Sequence, residues 1–76
     1  MARSIEENAL QALVSAHAVR EVRAHRHGDV WRVSVRLGAS WSPIRSRREP
    51  IREWRSLTAV GRFLDAQGIT QFQVEL

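Results

Sequence analysis

The stretch His27-Gly28-Asp29-Val30-Trp31-Arg32-Val33-Ser34-Val35-Arg36-Leu37 decides how this chain folds. Apolar Trp31, Val33, Val35 and Leu37 alternate strictly with polar Arg32, Ser34 and Arg36, the period-two pattern of a strand with one buried and one wet face. His27, Gly28 and Asp29 supply turn chemistry immediately before it. The segment preceding the turn is ambiguous on its own. Val19 and Val22 would extend a helix, whereas Val22 and Ala24 alternate with Arg23 and His25 as in a strand. The turn and the clear strand beyond it favour a hairpin joining residues 19–26 to residues 30–37.

Towards the N-terminus, Ser4 followed three residues later by Glu7 reads as a capping box. Ile5, Ala9, Leu10, Leu13 and Val14 recur at helical spacing, which predicts a first helix over about residues 5–16. His17 falls where that helix runs out, a position suited to a solvated or dipole-compensating histidine.

Towards the C-terminus, Gly38 to Glu49 is polar, rich in serine and arginine, contains Pro43 and is followed by Pro50, so it reads as an exposed loop or irregular edge segment. Residues 51–55 leave room for a short third strand. Ser56 then caps a second helix with Leu57, Val60, Phe63 and Leu64 on one face. Gly68 closes it as a left-handed cap, with Ile69 placed to fold back. Gly61 inside this helix costs about 1 kcal/mol relative to alanine, which suggests the close approach of a neighbouring element. Phe72, Val74 and Leu76 alternate with Gln71, Gln73 and Glu75 as a last strand.

The predicted fold is therefore a single α+β domain over residues 1–76. It has two layers in the order α-β-β-(β)-α-β, with an antiparallel three- to four-stranded sheet and two helices on one face. The helices should cover Trp31, Val33, Val35, Leu37, Phe72 and Val74. The opposite face would present Arg23, His25, Arg32, Ser34, Arg36, Gln71 and Gln73, and would be basic.

A domain of 76 residues is marginal, because chains of this size bury only about 60% of their unfolded surface. Cysteine is absent, and His17, His25 and His27 have no thiolate partners and form no ligand pair on one helical face. Neither a disulfide nor a metal is therefore expected as a supplement, and a homodimer is. With no disulfide scaffold, no signal-peptide pattern and no apolar run approaching the roughly 20 residues of a membrane span, the expected location is the cytoplasm, away from membranes.

All twelve basic residues are arginine, and residues 20–62 hold eleven of them against Glu21, Asp29, Glu49 and Glu53. The guanidinium fork suits phosphate and carboxylate. Codon usage in a GC-rich genome accounts equally for the missing lysine.

No nucleophile beside a base, paired catalytic carboxylates or glycine-rich phosphate loop is found. Glu6 and Glu7 stand where carboxylates serve a helix dipole. The sequence thus reads as a non-enzyme without a cofactor. The most conspicuous constellation is Arg45, Arg47, Arg48, Arg52 and Arg55 interleaved with Trp41 and Trp54. Arginines release counterions from phosphates and tryptophan offers a stacking surface, a pairing suited to nucleic acid. The same residues also read as a solvated loop whose arginines pair with Glu49 and Glu53 while the tryptophans fill the core edge. Arg23, Arg32 and Arg36 form a second candidate set. Their mutual repulsion calls for an anion, for Glu21 or Glu75, or for a dimer mate.

Several pieces, in order, resemble ParC-family plasmid partition-associated proteins of bacterial plasmids and integrated elements. They are the Gly28 turn, the Trp31–Leu37 strand, the Arg45-Ser46-Arg47-Arg48 run, the Trp54-Arg55-Ser56-Leu57 helix entry, and the Gly68-Ile69, Phe72 and Val74 ending. The likeness covers most of residues 19–76. It implies an accessory role in plasmid partition or mobile-element maintenance, close to a partition ATPase, a DNA-binding partition protein or DNA itself. It carries over no catalytic residues. It also implies an acidic tail after the last strand, where this sequence has only Leu76.

Overall fold

The computed structural model describes residues 4–76. The element order is β1 (Ile5–Glu6), a 3-10 turn (Glu7–Ala9), α1 (Leu10–Ser15), β2 (Glu21–His27), β3 (Val30–Arg36), β4 (Trp41–Arg45), α2 (Leu57–Ala66) and β5 (Gln73–Glu75). The strands form one sheet in the order β1-β4-β3-β2-β5. The α+β class holds, but the sheet has five strands and is mixed: β2, β3 and β4 are antiparallel neighbours, while β1 runs parallel to β4 and β5 parallel to β2. The expectation of a purely antiparallel sheet of three or four strands is corrected accordingly.

The central hairpin is as its alternation demands. His27 pairs with Val30 across Gly28 and Asp29, and Gly28 takes a φ of 65°, the left-handed backbone that primed hairpin turns need at their first position. Val22 lies opposite Val35 and Ala24 opposite Val33, and all four are buried.

The first helix is shorter than its periodicity predicts. Ile5 pairs with Ile44 at the sheet edge and is buried there, which gives its side chain more cover than a helix start would. Ser4 does not cap a helix: Ile5 and Glu6 are extended, Glu6 stands at the N-cap of the 3-10 turn without a side-chain bond, and the Glu7 carboxylate binds Arg52. Leu10 is fully buried and Leu13 and Val14 pack against the core.

The predicted loop over residues 38–49 contains a strand. β4 pairs Pro43 with Ser34 and Trp41 with Arg36. β1 reaches only Ile44 and Arg45, so the rest of β4 is an edge strand, where proline is tolerated. Burying Ile44 and Ser42 outweighs the low strand propensity of the segment. Residues 51–55, by contrast, do not form a strand. Only Trp54 joins the sheet, exchanging backbone bonds with Trp31 at 2.8 and 2.9 Å.

The second helix is as read. The Ser56 side chain accepts from the Ala59 N–H, Val60 and Leu64 are fully buried, and Gly68 closes it with φ 89° while the Ile69 N–H returns to the Leu64 carbonyl. Gly61 does not serve a close approach, since a Cβ placed there meets no atom within 4 Å. Leu10, Val60 and Leu64 from the helices share one core with Val22, Ala24, Val33, Val35 and Ile44 from the sheet. Among the described residues, the opposite sheet face carries no second layer. No helix among the described residues is long and apolar enough to cross a membrane.

The last strand departs most from expectation. Phe72 packs against the core, but Val74 is 46% exposed and Leu76 82% exposed. β5 lies at the sheet edge, beyond the reach of the helix layer.

Candidate nucleic-acid interface

The ten sequence-predicted site residues fall into three environments. On the open sheet face, Arg23, Arg32 and Arg36 each have a carboxylate, while Arg45, at the end of β4 on the same face, has none among the described residues. Arg32 donates to Glu53 from Nε at 3.0 Å and from Nη2 at 2.7 Å. Arg36 donates to Glu21 at 2.8 Å and to the Gly38 carbonyl. Arg23 lies 4.2 Å above the Trp41 ring and 3.8 Å from Glu75. The register explains the pairing: Arg36 is directly across from Glu21, and the Trp31–Trp54 pairing sets Glu53 beside Arg32. Three arginines thus meet three carboxylates, and much of the positive charge read from the sequence is offset on this face. The repulsion inferred from the sequence is relieved within the molecule.

Among these groups, Arg23 is the least well satisfied, because its Nε is buried without a partner. His25 shares the face and bonds Ser34 Oγ through Nε2 at 3.2 Å. Its pKa lies below the ordinary 6.5, chiefly because burial disfavours the cation, with repulsion from Arg23, Arg32 and His27 opposed by the attraction of Glu75.

The second environment is the core. Trp54 is 5% exposed and tilts against Phe63 with ring centroids 5.0 Å apart, so its ring is not available to stack on a base. Arg52 caps this pair, lying 4.6 Å from the Trp54 ring and 5.0 Å from Phe63 while binding Glu7. It ties the N-terminal segment to α2. Trp41, by contrast, lies on the open sheet face across from Arg36 and is half-buried beneath Arg23. Trp54 and Arg52 therefore serve packing rather than contact.

The third environment is the loop between β4 and α2. Arg52 N–H returns to the Ile44 carbonyl at 2.8 Å, so the chain leaves the sheet after Arg45 and comes straight back. At the tip, the Ser46 N–H donates to the Glu49 carbonyl at 3.1 Å, and the Glu49 N–H donates to Ser46 Oγ at 3.0 Å. Ser46 Oγ also donates to the Glu49 carboxylate at 3.3 Å. This closed turn holds Arg47 and Arg48 as its two central residues. Both are exposed, as are Arg45 and Arg55. None of the four makes an ion pair among the described residues.

Glu49 accepts from Ser46 Oγ and Glu53 from Arg32, and neither forms an ion pair with the tip arginines, while Glu49 keeps its own negative charge beside them. The signal that would have located this turn is Ser46-x-x-Glu49, the capping-box spacing used here outside a helix.

No protein-family model, curated protein or solved structure matches this chain.

Proposed function

We propose that this protein is a non-enzymatic accessory factor in plasmid partition or mobile-element maintenance, and that it contacts DNA through the arginine loop. The observation that carries the reading is the closed Ser46–Glu49 turn, which holds Arg47 and Arg48 out in solvent and in no ion pair among the described residues. A fixed backbone lowers the entropy lost when those side chains meet phosphates. Arg45 and Arg55 extend the same positive segment. The resemblance of residues 19–76 to plasmid partition-associated proteins supplies the biological setting.

Duplex DNA affinity measured across a range of salt concentrations tests the reading. The logarithm of the association constant should fall linearly with the logarithm of salt, and the double variant Arg47→Gln, Arg48→Gln should flatten the slope by roughly one unit per lost phosphate contact. Absence of binding at low salt removes it.

A second reading is an adaptor that docks the loop on an acidic surface of another partition component. The neutralised sheet face favours it, since the free positive charge of this region is confined to a small tip rather than spread along a groove. A stable complex with an acidic partner protein, combined with no DNA affinity, would select this reading.

A further inference from the structure

We infer that the outer edge of β5 is a self-complementary surface on which a second copy of this chain docks, extending the sheet through a two-fold axis at Val74. The sequence alternates Phe72, Val74 and Leu76 as if for a buried face, yet the fold leaves Val74 and Leu76 as the exposed large hydrophobics among the described residues. Val74 is the middle residue of β5 and Leu76 follows it directly, and the outer backbone edge of β5 has no neighbour among the described residues. Edge strands are ordinarily protected by short length, charge, proline, a bulge or a covering loop. Gln73-Val74-Glu75 is short but contains no proline, and its one charge, Glu75, is turned to Arg23 within the monomer.

The partner follows from the pattern Phe-Gln-Val-Glu-Leu. In an antiparallel pairing centred on Val74, Val74 meets its own copy, Phe72 meets Leu76 of the second copy, and Gln73 meets Glu75 of the second copy. Apolar side chains face apolar ones on one side of the sheet, and amide faces carboxylate on the other. Moving the two-fold axis to Glu75 would set Glu75 against its own copy, and like charges directly opposite are unfavourable. The register centred on Val74 satisfies both faces while pairing the whole of β5 with itself, and it has the symmetry that an isologous interface requires. It also gives Leu76 a destination. Phe72 lines a groove of about 320 Å³ together with Arg20, Glu21, Val22, Gln71 and Gln73, and the second copy's Leu76 would enter there. The extra burial is what a domain of this size lacks.

Sedimentation of the full chain over a range of concentrations tests the inference. A monomer–dimer equilibrium is expected. Gln73→Glu sets two carboxylates face to face at two symmetric places and should raise the dissociation constant roughly two- to thirty-fold. Gln73→Lys should lower it by a similar factor. Gln73 is exposed and lies across from Arg23 within the monomer, so Gln73→Glu does not harm the fold and circular dichroism should be unchanged. A monomer at every concentration overturns the inference, as does a dimer whose dissociation constant ignores both substitutions or moves the same way with each. The outcome is independent of DNA binding.

Discussion

At the level of single residues, the arginines divide by what each one touches. Arg32, Arg36 and Arg52 have carboxylate partners and hold strands, loop and N-terminal segment together. Pairs exposed to this degree are worth about 0.2–1 kcal/mol each, because water screens them and their side chains lose freedom. Arg45, Arg47, Arg48 and Arg55 have none among the described residues, and only such groups have charge to offer a ligand. The same sheet face makes stability depend on pH through His25. Its folded pKa lies below 6.5, so in the window just under 6.5 the unfolded chain binds a proton that the folded chain refuses. Stability is therefore full above 6.5, falls as pH drops through 6.5 towards the folded value, and then levels off. Denaturant melts at about pH 7.5 and about pH 5 should show wild type losing more stability than His25→Asn. Equal losses would mean that His25 does not carry this dependence.

At the level of elements, strong periodic signals were legible and boundary signals set by tertiary partners were not. The hairpin, the Ser56 cap, the apolar stripe of α2 and the Gly68 closure all rest on local chemistry, and each stands where its residues put it. Ile5 and β4 were misread because their burial depends on each other across the sheet, a contact that no local window contains. The arginine loop was located by composition, but the split between paired and free arginines depends on register: Glu53 reaches Arg32 only because Trp54 pairs with Trp31. The two helices also share a closure. Ala18 N–H returns to the Leu13 carbonyl as Ile69 N–H does to Leu64, but the left-handed position is Gly68 in one and His17, at φ 59°, in the other. A side chain there costs roughly 1–2 kcal/mol, offset in part by the greater chain entropy of glycine when unfolded. His17→Gly should accordingly raise stability by about 1 kcal/mol in urea unfolding. No gain would show that the His17 side chain contributes contacts that compensate the strain.

At the level of the whole molecule, one helix layer covers a five-stranded sheet and leaves two unequal surfaces. Arg23, Arg32 and Arg36 on the open sheet face have carboxylate partners, while Arg45, Arg47, Arg48 and Arg55, at and beyond the end of β4, make no ion pair among the described residues. A net charge of +4 would not by itself say where an anionic partner sits. The proposed loop contact predicts that arginines of equal formal charge will contribute unequally. The most direct measurement is the salt dependence of duplex DNA affinity for Arg48→Gln beside Arg36→Gln, two variants with the same change in net charge. Arg48→Gln should reduce the slope by about one unit and Arg36→Gln should leave it unchanged. Equal flattening by both, or by Arg36→Gln alone, would contradict the assignment of DNA contact to the loop.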